Sequence, residues 1–149
     1  MRIRAVVDAD FERWLPLWDG YNAFYGRVGP TALPMETTRT TWARFLAPDE
    51  PVKALVAENG AKLVGLAHFI LHRSTNQVGR VCYLQDLFTD PGSRGQGVGR
   101  LLIEAVYERA HALGCRRVYW QTHETNSTAR SLYDQVAECS GFIVYRKDV

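Results

Sequence analysis

Arg94, Gly95, Gly97 and Gly99 stand within one short stretch, directly ahead of a run whose apolar residues recur at helical spacing. The first turn of a helix has N–H groups without intrahelical partners and carries the positive end of the helix dipole. Glycines remove the side chains that would hold an anion away from that backbone. Together they make a cradle for a pyrophosphate, and Arg94 can add a charge-assisted contact. Two common phosphate motifs do not match. A P-loop needs Lys followed by Ser or Thr, whereas Gly99 is followed by Arg100 and Leu101. A dinucleotide fingerprint reads G-x-G-x-x-G, whereas this spacing is G-x-G-x-G, with Glu124 as the stand-in for the ribose-binding acid. The plain alternative is a glycine-rich turn that packs a helix close to a sheet, and an isolated G-x-G-x-G more often does that.

Other chemistry-bearing residues are dispersed. His68 and His72 are four apart in an extended-looking run, which puts both side chains on one strand face. Cys82, Cys115 and Cys139 are far apart and include no C-x-x-C. They suggest neither a zinc site nor a disulfide framework, and a reducing cytoplasm suits them.

The elements that must position the cradle follow from periodicity. Residues 3–7 read as a strand, and Asp8 as the cap of a helix carrying Phe11, Trp14, Leu15, Trp18 and Tyr25 on one stripe, ended by Gly26. A second helix after Pro34 carries Trp42, Phe45 and Leu46. Residues 53–58 and 61–72 form a hairpin on Asn59-Gly60, a type I′ pair with positive φ at both positions. A third antiparallel strand spans 79–89. Then comes the long helix from Val98 to a C-terminal cap at Gly114, a buried strand over 116–122, a helix capped by Asn126, and a last strand at Phe142-Ile143-Val144-Tyr145. The fold class is mixed α/β: an antiparallel N-terminal meander, a parallel central pairing across the long helix, and flanking helices. One domain spans 1–149.

Within that frame the motif is not isolated. Arg94-x-x-Gly97-x-Gly99 after the strand Leu84-Gln85-Asp86-Leu87-Phe88-Thr89-Asp90-Pro91 resembles the acetyl-CoA signature of the GNAT N-acetyltransferase superfamily. Asn126-Ser127-Thr128-Ala129-Arg130-Ser131-Leu132-Tyr133 is similar to the superfamily's second motif, and the tail from Tyr119 resembles a subgroup akin to the yeast histone and polyamine acetyltransferase relatives. The resemblance implies acetyl-CoA as cosubstrate, while the cysteine and histidine spacing points to no metal. It implies that backbone groups of Leu87, Phe88 and Thr89 pair with the pantetheine arm. Amides of Arg94, Gly95, Gln96, Gly97, Val98 and Gly99 would hold the pyrophosphate. Asn126 and Ala129 would lie along the arm, and Tyr133 beside the thioester sulfur. Homodimers are common in the resembling family.

Attack of an amine on a thioester needs a neutral amine, a stabilised oxyanion and a proton for the leaving thiolate. An alkylammonium titrates near ~10.4, so it must first lose a proton. A backbone N–H of the Leu87–Thr89 strand can stabilise the oxyanion. Tyr133, with a reference pKa of about 10, can protonate a thiolate of about 8.5; the plain alternative for Tyr133 is a core aromatic. Many members of the family carry a glutamate where this chain has Gln85, an amide that cannot take the proton but can orient a water. Asp86, on the opposite strand face, and Glu124 are the ionisable alternatives, beside a water chain to bulk. Trp14, Trp18, Tyr21, Phe24 and Tyr25 cluster near the N-terminus, where some can line an acceptor site while the tryptophans pack the core.

Composition bounds the partners. A net charge of +2 with scattered Lys and Arg does not point to nucleic acid, and no run reaches the roughly 20 apolar residues of a membrane span. The expected activity is acetylation of a small-molecule primary amine. The alternatives are acetylation of a protein lysine or N-terminus, and a CoA-binding module without catalysis, which Gln85 keeps open.

Overall fold

The computed structural model describes all 149 residues. Five strands form one sheet in the order β1-β2-β3-β4-β5: β1 (Arg2–Ala5), β2 (Val52–Asn59), β3 (Lys62–Arg73), β4 (Arg80–Thr89) and β5 (Val118–Tyr119). The first four run antiparallel, and β5 joins β4 in parallel. A parallel neighbour needs a crossover, and α3 (Val98–Ala112) supplies it. Helices α1 (Phe11–Phe24) and α2 (Met35–Leu46) cover one face of the sheet, while α3 and α4 (Ser127–Val136) lie on the other. This is the expected mixed sheet with flanking helices.

Each face has its own core. Phe69, Leu71, Cys82 and Leu84 of the sheet meet Leu102, Ile103 and Val106 of α3. On the opposite face Val56, Leu63 and Leu66 meet Trp14, Leu17, Trp18, Trp42 and Phe45. Trp14 is fully buried and stacks on Trp18 at 5.7 Å, so both tryptophans are core residues, as their type favours. The stripe on α1 runs through Leu17 and Tyr21 rather than Leu15 and Tyr25. Beside it, the buried Asp10 carboxylate accepts from Arg4 at 2.6 Å and Arg13 at 2.5 Å, and both arginines also reach Glu58. This fastens the start of α1 to β1 and β2.

Three expectations change. The hairpin forms, but Asn59 remains in β2 and the loop is Gly60-Ala61, with positive φ at Gly60 alone. Type I′ needs positive φ at both loop residues, and Ala61 lacks it, so the turn is not the type I′ pair; a bulge at Ala57/Glu58 shifts the register just before it. The strand expected over 116–122 is two residues long, because the chain leaves β4 after Tyr119. Residues 142–145 form no strand and stand exposed, Phe142 at 92% and Tyr145 at 90%. A strand needs a ladder partner, and the free edge at that end of the sheet is the two-residue β5.

Candidate active site

The short β5 is what creates the site. Its pairing with β4 covers only Cys82↔Val118 and Tyr83↔Tyr119. Beyond Tyr83 the β5-side edge of β4 has no neighbouring strand, so the backbone groups that alternate residues turn to that side lack a ladder partner. A cleft open to solvent occupies the divergence; it is lined by Leu84, Gln85, Leu87, Trp120, Gln121 and Tyr133, with Tyr21 and Tyr25 from α1.

A bulge in β4 aims the residues around it. The register with β3 passes from Phe69↔Leu84 to His68↔Asp86, so Gln85 is the extra residue. Bulges recur beside active sites because they re-aim side chains. Here Leu84 and Leu87 both turn toward the α3 side, and Gln85 is exposed in the cleft. Asp86 turns to the other face, where it is buried and 2.9 Å from His68 Nδ1. Its charge bears on the phenol of Tyr21, which lines the cleft. Burial first, then the Asp86 charge, push the Tyr21 phenol far above its ordinary pKa.

Tyr133 sits across the cleft on α4, edge-on to Trp120 at 5.4 Å between centroids. Burial pushes its pKa up to about 12, with a smaller push from Tyr25. Glu124 is exposed in the loop after β5 and does not line the cleft; its carbonyl accepts from Arg130 at 2.9 Å. Asn126 is at the N-cap position of α4, yet its side chain does not cap the helix and instead donates to Thr122 Oγ1 at 3.2 Å. Ala129 is half-buried on the same helix.

The glycine loop lies at the start of α3, beyond Thr89. Gly97 is the N-cap at φ 80°, in the left-handed region where glycine carries no penalty. No side chain caps the helix, so the first-turn N–H groups stay available. A Cβ built on Gly95 or Gly97 would meet nothing within 4 Å, so the space over this backbone is open. A Cβ on Gly99 would come 3.2 Å from Leu132, so that glycine has a packing role against α4. Val98 turns its side chain into the core, leaving its amide at the loop. Phe88 likewise packs its ring toward α1, and Arg94 folds over that ring at 5.8 Å with Nε 3.3 Å from Thr89 O.

The periodicity of the sequence did not reveal Leu84, Trp120 or Gln121 as lining residues. Trp120 and Gln121 line the cleft only because the chain leaves the sheet after Tyr119, an event decided by tertiary contacts. The signal for Tyr21 and Tyr25 was their four-residue spacing within the aromatic set. His68 was visible only as one of a histidine pair, and His72 proves to have a separate partner, Tyr119 Oη at 2.6 Å.

Residues 14–137 match the model of the acetyltransferase (GNAT) family, and the chain belongs to that family; it is an acetyl-CoA-dependent acyltransferase. It is 36% identical over 149 residues to the D-amino-acid N-acetyltransferase HPA3 of Saccharomyces cerevisiae, covering 98% of this chain and 89% of that protein. It is 31% identical over 105 residues to the thialysine N-epsilon-acetyltransferase of Bos taurus, covering 67% of this chain and 57% of that one. Among solved structures, AAC(6')-Iy in complex with the bisubstrate analog CoA-S-monomethyl-acetylneamine superposes with a TM-score of 0.85 at 20% identity, over 99% of this chain and 97% of that one.

Proposed function

We propose that the protein transfers the acetyl group of acetyl-CoA to the primary amine of a small molecule, by direct attack with both substrates bound in the cleft between β4 and β5. The observation that carries this reading is the splay itself: the cleft between β4 and β5 is lined by Gln85, Tyr21 and Tyr133, and the chain runs from β4 directly to the uncapped N-terminus of α3. The names of the relatives, a D-amino-acid and a thialysine acetyltransferase, support a small amine as acceptor.

Acetyl-CoA supplies the activated acyl group. Amides from Arg94 to Gly99 bind the pyrophosphate, and the backbone of Leu87, Phe88 and Thr89 pairs with the arm, flanked by Asn126 and Ala129. An N–H on that strand edge faces the developing oxyanion. Gln85 orients the amine or its water. Asp86 accepts the amine proton through the Tyr21 hydroxyl, and Tyr133 Oη donates a proton to the departing thiolate. The buried Asp86 carboxylate answers the lack of an acid at position 85.

The single domain, a cytoplasmic location and a homodimer belong to the same proposal. Three free cysteines suit a reducing compartment, and no helix is long and apolar enough to cross a membrane. The exposed apolar run at 142–145 is surface that a second copy would cover. Calorimetric titration with acetyl-CoA, with NADH and ATP as controls, tests the cofactor, and thiol release across an amine panel tests the reaction. Micromolar binding with turnover on small amines is expected. Binding without turnover on any amine would leave a CoA-binding module.

A further inference from the structure

Arg27 stands at the rim of the cleft in an arrangement that the transfer chemistry does not use. It follows the C-terminus of α1, and its guanidinium lies over two rings that line the cleft, 5.8 Å from the centroid of Tyr21 and 5.4 Å from that of Tyr25. Its Nε donates to Asn22 Oδ1 at 2.6 Å, and buried Asn22 is itself held by a bond from Nδ2 to Trp18 O at 2.9 Å. The planar group is therefore fixed at Nε and seated on aromatic faces. Its only side-chain hydrogen bond is the one at Nε, and it joins no salt bridge. The two Nη groups, the edge that forks onto a carboxylate, remain open.

The contrast with the other N-terminal arginines is instructive. Arg4 and Arg13 are both occupied by Asp10 and Glu58. Arg27 is half-buried and partly desolvated by its rings, a setting in which one anion binds more strongly than it would at an open surface. The open Nη edge beside the cleft thus suits a molecule with an acid at one end and an amine a few bonds away.

We propose that Arg27 is the anchor for a carboxylate of the acceptor, so that the amines acetylated in this cleft are amino acids. The inference rests on the acetyl-transfer reading above and narrows its substrate class. With the carboxylate on the Nη edge over Tyr21 and Tyr25, the amine points inward toward Gln85 and the Tyr21 hydroxyl. Amines without an anionic group lose the anchor but keep the reaction.

The test compares each amine with its uncharged twin. Alanine and lysine in D and L forms, and the corresponding carboxamides, are assayed for CoA release at saturating acetyl-CoA with wild-type protein, Arg27→Gln and Arg27→Lys. The free acids should exceed the amides in kcat/KM by at least about tenfold in wild type. Arg27→Gln should abolish that preference through KM, with kcat and the affinity for acetyl-CoA within about twofold, and Arg27→Lys should restore part of it. Equal losses on acids and amides in Arg27→Gln, or a wild type indifferent to the carboxylate, overturn the anchor and leave the transferase intact. The wild-type comparison needs no variant to fold. A wild type that acetylates no member of this panel overturns the anchor, and turnover on other amines decides the transferase reading separately.

Discussion

His68 Nδ1 lies 2.9 Å from Asp86 Oδ2 in the interior of the sheet, and the proton between them has a fixed owner. Trp14 Nε1, which can only donate, approaches His68 Nε2 at 3.0 Å. Nε2 therefore accepts, and the imidazole carries its proton on Nδ1, pointed at Asp86. The ring is clamped on three sides by Trp14, Trp18 and Phe45, with centroid distances from 4.5 to 5.8 Å. The carboxylate is thus oriented by His68 from the interior of the sheet.

If that carboxylate receives the amine proton, Asp86→Asn keeps the shape and removes the acceptor. The expected result is a fall in kcat of at least about a hundredfold, with acetyl-CoA affinity unchanged. His68→Gln, which retains polar atoms, should cost far less activity. Steady-state kinetics on the two variants, with melting curves to verify folding, decides it. Equal small losses would assign the pair to structure alone.

Much of this site could be read from residue types, and the part that could not has a physical cause. Gly97 and its neighbours announced a helix N-terminus, because only glycine adopts the left-handed N-cap without penalty. Tyr133 announced itself by motif. Asp86 was legible as a candidate, but its partner was not: His68 is eighteen residues away and pairs with it only through the register of β3 and β4. The bulge that exposes Gln85 leaves no mark in a period-2 pattern, since one inserted residue looks like one more strand position. The strand expected at 142–145 failed for a related reason. Phe142-Ile143-Val144-Tyr145 has the right residues, but strand formation is decided by the edge available to it, and the sheet ends on β5.

Tyr133→Phe removes the proton donor with little change in shape. Turnover should fall at least about tenfold while acetyl-CoA binds as before. Because burial holds the Tyr133 pKa up to about 12, the wild-type hydroxyl keeps its proton well past the ordinary phenol value of about 10. The wild-type rate profile should therefore show no alkaline decline near pH 10 attributable to this group. A variant rate equal to wild type would remove Tyr133 from the acid role.

Gly97→Val places a β-branched residue at φ 80° and a side chain in the open space over the loop. The backbone strain costs about 1–3 kcal/mol of stability. The affinity for acetyl-CoA should fall by at least about tenfold, whereas Gly60→Ala, also at positive φ but in the distant hairpin, should weaken stability alone. Titration calorimetry beside thermal melts separates the two effects. A Gly97→Val protein with unaltered affinity would mean the pyrophosphate sits elsewhere.

Alkaline stability follows from the same buried groups. Burial pushes the Cys82 thiol up to about 12, with a smaller contribution from Cys115, and holds Tyr133 at about 12. Both are neutral in the folded protein where the unfolded chain would ionise, near ~8.5 for the thiol and ~10 for the phenol. A raised folded pKa means the unfolded chain releases protons first, so stability is full below the unfolded values and drains as pH climbs toward 12. Urea midpoints should hold steady to about pH 8 and decline from there to pH 11, with an onset for thiol loss earlier than for phenol loss. Cys82→Ala leaves a small cavity and lowers the midpoint at pH 7, but it should make the first segment of the decline shallower, the buried Cys115 thiol supplying the remainder. A variant whose midpoint falls with pH in parallel with wild type from pH 8 upward would show that the Cys82 thiol is not the group that ionises on unfolding.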